Sequence, residues 1–208
     1  MRNSFAKYAV AGALSLSLMA GGAVVAQAAL TKNPAEVTAG NYDLESSHGK
    51  ITWSVNHFGL STYTGQFVNV KAELKLDPAN PSASTLTATI PLADVAPNDD
   101  RLKGHLQTAD FFDTANHPTA TFVSRSVTVH PGKANEATVV GDLTLKGVTK
   151  PVTIEVVFNA AGPVMGAYKA GFDGEATIKR SEFGINYALP AVSDEVKLHI
   201  EGEFVIQK

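Results

Sequence analysis

The sequence VGDLTLKGVTKP, residues 140–151, predicts two neighbouring antiparallel strands and decides the fold class of the chain. It begins as a short strand, makes a tight connection at Lys146-Gly147, and opens a second strand at Pro151. In that second strand every other position is apolar: Val152, Ile154, Val156 and Phe158. This period of two is typical of a strand with one face on a core and the other in water.

The same alternation extends in both directions along the chain. Further runs lie at residues 51–57, 68–76, 86–90, 119–129, 138–145, 172–179 and 196–204. About eight strands, each with one apolar face, favour a closed barrel. Closure places the apolar faces inside and removes exposed edges. A short helix is indicated at residues 101–107, with Asn98 or Asp99 as its cap. We therefore predict an all-β antiparallel barrel of about eight strands with one short helix.

The first 28 residues have the pattern of a secretory signal peptide. Arg2 and Lys7 precede an apolar stretch at residues 9–25, and Ala26-Gln27-Ala28 matches the small-x-small cleavage pattern. The alternative is a membrane anchor, but the stretch is rich in glycine and short for a span of ~20 residues. We expect cleavage after Ala28, a single domain over residues 29–208, and a periplasmic location without stable membrane insertion.

Composition excludes several classes of function. Beyond residue 28 the chain carries 15 basic and 20 acidic residues, so it lacks the basic face that nucleic acid requires. The chain has no cysteine, no G-x-S-x-G elbow for a serine nucleophile, and histidines that are not at short metal-ligand spacings. We expect no metal, no cofactor, and a protein that is not an enzyme.

The predicted interior combines many small side chains with few large ones. Small residues are expected to face inward at Val68, Val70, Ala72, Ala88, Ala120, Ser124, Gly174 and Ala176. The bulky candidates are Trp53, Phe122, Phe158, Phe172 and Phe204. An eight-stranded barrel either packs its interior or holds one small ligand. Both a hollow barrel and a tapered, packed core remain open from this pattern.

Several segments together resemble the YceI-like family of periplasmic polyisoprenoid-binding proteins. The resemblance covers nearly all of the chain after the signal peptide. The segments are HFGLS (57–61), GQF (65–67), RLKGHL (101–106), DFFD (110–113), TFVS (121–124), GDLTLKGVTKPV (141–152), FG (183–184) and SDEV (193–196). The chain departs from the family pattern at ADVAP (93–97), which affects the expected ligand preference more than the fold.

The resemblance implies an extended, lipocalin-like barrel with an apolar tunnel for a polyisoprenoid or similar amphiphile. A prenyl chain requires apolar surface removed from water rather than directional partners. The predicted tunnel lining is therefore Trp53, Val55, Val70, Phe122, Phe172, Ala176 and Ile178. Phe111 and Phe112 follow the short helix, and we expect them to gate one barrel end or to cap its core.

Polar residues near the helix are candidates for contact with a ligand head group. Arg101 and His105 are four residues apart, so a helix places them on one face. His57 is in register with inward positions and is a third candidate. The alternative is structural: salt bridges that fasten the helix to the barrel, and a histidine satisfied by hydrogen bonds in the core.

Three functions are compatible with these patterns. The first is a periplasmic protein that binds an isoprenoid quinone, a polyprenyl lipid or another long-chain amphiphile for transport, storage or scavenging. The second is an outer-membrane eight-stranded barrel, although strands of that class carry aromatic girdles that this chain lacks. The third is an enzyme that modifies a lipid or quinone in the same cavity. The oligomeric state is open, with a homodimer among the options.

Overall fold

The computed structural model describes residues 29–208, so the predicted signal peptide lies outside the described residues. The ten strands are β1 (Gly40–His57), β2 (Ser61–Phe67), β3 (Lys71–Leu76), β4 (Thr85–Pro91), β5 (Val95–Ala96), β6 (Thr119–His130), β7 (Lys133–Leu145), β8 (Val148–Val164), β9 (Ala167–Lys179) and β10 (Glu195–Ile206). Helix α1 is Asp100–Leu106, and short 3-10 turns lie at Pro34–Glu36, Pro81–Ala83, Leu92–Asp94 and Arg180–Phe183.

The strands form a closed antiparallel barrel. Their order is β10-β9-β8-β7-β6-β4-β3-β1-β2-β5, and β1 also pairs with β10. The first half of β1 pairs with β3 and its second half pairs with β2, so β2 and β3 occupy one position in the wall. β4 and β5 likewise share one position in the wall. β4 pairs with β3, and β5 pairs with β2. The wall thus has eight strand positions, which confirms the predicted barrel.

The hairpin predicted from residues 140–151 is the β7–β8 connection, with one correction. Lys146 and Gly147 both have positive φ, 50° and 75°, as a tight two-residue turn requires. The second strand opens at Val148 rather than at Pro151, which pairs with Asp142 inside β8. Proline is tolerated there because the pairs between β8 and β9 begin only at Glu155, so this part of β8 is an edge.

The sequence prediction missed two short strands and the length of several others. β2 and β5 did not stand out because their apolar positions are interrupted by polar and small residues. β1 begins at Gly40, eleven residues before the predicted start at residue 51. It includes a bulge between Leu44 and Gly49 where the register with β10 shifts. Such a bulge breaks the period of two and so hides the first half of the strand.

The two ends of the barrel carry different elements. One, here called the helix end, carries α1, the Lys146-Gly147 turn and the segment 180–194. The other, here called the far end, carries Pro34–Glu36, the β3–β4 connection and the β6–β7 turn. Asp99, one of the two caps that the sequence left open, caps α1 by accepting the N–H groups of Arg101 and Leu102. Among residues 29–208, no helix has the length and apolar character needed to span a bilayer.

Candidate functional site: an apolar cavity in the barrel

The barrel encloses a cavity of about 260 Å³. All eight strand positions contribute to its wall, and the inward side chains there are aliphatic or aromatic. The inner wall includes Val70, Ala72, Ala88, Ile90, Phe122, Val139, Leu143, Ile154, Phe172, Ala176, Leu198 and Phe204. Such a surface can remove an apolar chain from water.

The cavity opens at the far end. Its lining continues past the strand ends to Pro34, Val37, the β3–β4 connection and Asn135 in the β6–β7 hairpin. We call this region the mouth and define it by Pro34, Val37, Asp77, Pro78, Pro81, Ser84, Thr85, Ala134 and Asn135. At the helix end, by contrast, the interior is closed by packed side chains.

Two tyrosines hold the N-terminal side of the mouth. The hydroxyl of Tyr42 donates to the carbonyl of Thr38 at 2.5 Å, and the N–H of Thr38 donates to the hydroxyl of Tyr168 at 3.1 Å. Tyr42 is fully buried, and this burial raises its pKa to about 12. The segment that carries Pro34 and Val37 is therefore fixed against the barrel wall.

Small side chains explain why the interior is hollow. Five of the eight predicted small inward residues line the cavity: Val70, Ala72, Ala88, Gly174 and Ala176. The other three lie elsewhere: Ala120 is buried in the core, the Ser124 Oγ accepts the N–H of Leu86, and Val68 lies in an outer groove. Gly174 also allows a close approach, since a Cβ there would lie 3.0 Å from the side chain of Ile154.

The predicted tunnel residues divide between the cavity and the helix end. Val70, Phe122, Phe172 and Ala176 line the cavity. Trp53 packs instead with Val95 and Leu106, and Val55 packs against that cluster. Ile178 packs against the central core. Apart from Val68, the period of two placed these residues on the inward face, but it could not show how far along the axis the hollow part extends. Ligand contact by the four lining residues stays a prediction.

Phe111 and Phe112 lie at the helix end, opposite the mouth. Phe112 packs on Phe67 with ring centroids 5.5 Å apart. Phe111 contacts His105 and Tyr187, at 4.9 and 5.3 Å between ring centroids. The sequence left open whether the two residues cap the core or gate this end of the barrel. Their contacts are those of a cap, and a gating role stays a prediction.

The three candidate head-group residues are not brought together at the cavity. Arg101 points into solvent with its side chain 94% exposed and pairs with Asp99 at 3.3 Å. His105 contacts Asp110 at 3.1 Å between Nε2 and Oδ2. His57 lies at the end of β1 with its ring 4.6 Å from that of Phe58. All three belong to the helix end, whereas the cavity opens at the far end.

Sequence reasoning missed the residue that organises the helix end. Arg180 is buried, and its guanidinium donates to the carbonyl oxygens of Ser193, Ile185, Tyr187 and Val192 at 2.7–3.1 Å. Burial lowers its pKa, but an arginine in this position remains protonated. An isolated arginine after a strand gives no sequence signal for this role, because its partners are backbone carbonyls that lie up to 13 residues away.

An ion-pair cluster lies on the outer wall at the β1 bulge. Glu45, His48 and Glu203 place potential metal-ligand atoms within 4.8 Å of one another. Lys169 pairs with Glu45 and lies 3.3 Å from Glu203, so both carboxylates already have an ammonium group as partner. The hydrogen bond with Lys169 lowers the pKa of Glu45, and the same bond raises that of Lys169. The group therefore acts as an ion-pair network that fastens the bulge.

The sequence of this chain is similar to those of known proteins. Residues 42–204 match the family described as the YceI-like domain. The chain is similar to Protein YceI of Escherichia coli O6:H1, with 38% identity over 167 residues that cover 80% of this chain and 86% of that protein.

Two solved structures have the same architecture. BcnA of Burkholderia cenocepacia superposes with a TM-score of 0.69 at 27% identity, over 77% of this chain and 98% of that one. A polyisoprenoid-binding domain from Saccharophagus degradans superposes with a TM-score of 0.62 over 82% of this chain and 100% of that one. Its identity is 13%, so the likeness supports the fold alone.

Proposed function

The chain belongs to the YceI-like family, and we propose that it is a periplasmic binding protein for an isoprenoid lipid or similar long-chain amphiphile. The observation that carries this proposal is the apolar cavity of about 260 Å³ that opens at one end of the barrel. The sequence resemblance implies the same class of ligand independently of the cavity.

An empty cavity of this size is unfavourable. Because the cavity opens at the far end, its apolar wall faces water when no ligand fills it. An apolar chain that fills it recovers contacts with the wall and gains about 25 cal/mol per Å² of apolar surface removed from water. Binding therefore covers the apolar wall surface that the small inward residues leave uncovered.

The size of the cavity limits what is enclosed. Its volume is slightly below the ~300–1,000 Å³ of sites that bury a drug-sized ligand. The protein holds part of a prenyl chain in the barrel, and a longer chain continues through the mouth. The activity we propose is binding without catalysis, because the inner wall supplies contact area rather than groups that transfer protons.

The ligand can be identified directly. Protein purified without detergent is extracted with organic solvent, and the extract is examined by mass spectrometry. The stripped protein is then titrated with prenyl alcohols of increasing length. We expect a recovered amphiphile, and an affinity that rises with each isoprene unit until the cavity is filled. Recovery of no lipid together with no binding of any prenyl alcohol would overturn the proposal.

The location is tested separately. If residues 1–28 form a cleaved signal peptide, osmotic shock releases a protein whose first residue is Ala29. The matched control is a chain with Ala26 and Ala28 changed to leucine, which removes the small residues needed for cleavage. A mature protein that still begins before Arg2 would contradict the periplasmic assignment.

A further inference from the structure

We infer that the polar end of the ligand lies at the mouth and is uncharged, as in a prenyl alcohol or quinone, rather than a phosphate or carboxylate. This inference rests on the proposed function, because it concerns the same cavity. Three features of the described residues carry it: an apolar interior, an anionic mouth, and a buried hydroxyl group at the rim.

The interior of the cavity has no place for a polar head group. Its inward side chains are aliphatic and aromatic, and burying a polar group without a hydrogen bond is costly. The helix end is closed by the cluster of Trp53, Val95 and Leu106. The chain of the ligand therefore points towards the helix end, and its polar end stays at the mouth.

The charge at the mouth disfavours an anion. Among the described residues that form the mouth, Asp77 is the one with a charged side chain. Its Oδ1 accepts the N–H groups of Ala79 at 3.1 Å and Asn80 at 2.9 Å, which hold the carboxylate at the rim. The one basic residue in the cavity lining, Lys50, pairs with Glu201 at 2.8 Å. A phosphate at the mouth would therefore face a like charge, and the one cation among the described lining residues is already paired.

A hydrogen-bond donor suited to a neutral head group is present instead. Ser84 lines the mouth and is 8% exposed. Its Oγ accepts the N–H of Asp77 at 3.0 Å, and within residues 29–208 no protein acceptor takes its hydroxyl proton. That proton can be donated to the oxygen of an alcohol or a quinone carbonyl. The mouth thus combines one donor for a neutral oxygen with one negative charge.

The test compares two ligands with the same chain. Stripped protein is titrated calorimetrically with farnesol and with farnesyl diphosphate at low and high salt. We expect farnesol to bind at least about tenfold more tightly at low salt, with the difference shrinking as salt screens the repulsion. Equal or tighter binding of the diphosphate would overturn the inference but leave the proposed function standing. Failure of both ligands to bind would overturn the proposed function, and the inference with it.

Variants of the mouth separate charge from structure. Asp77→Asn keeps an oxygen that can accept the N–H groups of Ala79 and Asn80 but removes the charge. We expect the preference for farnesol over the diphosphate, taken as the ratio of the two affinities, to fall at least about fivefold. Glu182→Gln, at the helix end, changes the net charge equally and should alter neither affinity. If Asp77→Asn and Glu182→Gln have the same effect on the diphosphate, the mouth does not select against anions.

Discussion

The helix end and the far end of the barrel cover the apolar interior in opposite ways. At the helix end, Trp53, Phe67 and Phe112 fill the space inside the strands, and Arg180 fastens the segment 180–194 over them. At the far end Phe158, Phe172 and Phe204 pack side by side along one part of the wall, but the lining leaves an opening that is surrounded by prolines and turns. The comparison teaches that packed side chains close one end of the barrel, whereas the other end leaves an apolar space that is open.

The largest effect is expected from removing the anchor of the helix end. Arg180→Met would leave four buried or half-buried carbonyl groups without their donor. We expect the free energy of unfolding to fall by about 3–5 kcal/mol in urea titrations. The control is Arg125→Met, since Arg125 is 61% exposed in its pair with Asp142 and should contribute about 1 kcal/mol or less. Equal losses in the two variants would contradict an anchoring role.

A matched pair of phenylalanine truncations separates the two ends. Phe112 at the helix end and Phe172 in the cavity wall are both half-buried, so truncation should cost each about 2 kcal/mol, less than a fully buried ring. We expect Phe112→Ala to leave the affinity for farnesol unchanged and Phe172→Ala to change it. Denaturation and calorimetric titration of both variants measure this. A loss of affinity in Phe112→Ala alone would mean that the chain enters from the helix end.

The smallest expected effect is the pH dependence of the melting temperature, which reports the stability of the fold in acid. Hydrogen bonds from Ser181 lower the pKa of Asp194 at the helix end, and hydrogen bonds from Thr31 and Asn33 lower that of Glu36 at the far end. A lowered folded-state pKa gives stability that is complete above the unfolded value and is lost as pH falls through the folded value. Wild type should therefore exceed Asp194→Asn in melting temperature at pH 7, and the difference should vanish towards pH 2. A difference independent of pH would contradict this.

The sequence predicted the barrel and its single helix because both follow from local patterns. Alternation marks the inward face of a strand, and Asp99 marks the start of α1. The bulge in β1 and the proline inside β8 depend on which strands are neighbours, so they were missed or misplaced.

The candidate site was predictable only in part. Val70, Phe122, Phe172 and Ala176 line the cavity, as expected from their inward-facing positions in the sequence pattern. Trp53 also faces inward, but it lies beyond the hollow part, where α1 fills the barrel. The mouth residues Asp77 and Ser84 were visible only as parts of a turn, since nothing local shows that this turn surrounds an opening.

The central claim is that the barrel contains space for an apolar chain. Replacing two alanines by tryptophan, one at a time, tests this claim most directly. Ala176 lines the cavity, whereas Ala120 is buried in the same core cluster outside the lining. We predict that Ala176→Trp fills the cavity, melts close to ligand-free wild type and no longer binds farnesol. Ala120→Trp should lose about 1–3 kcal/mol or more from overpacking. If Ala176→Trp is destabilised as much as Ala120→Trp, or if it binds farnesol as tightly as wild type, the cavity does not hold the ligand.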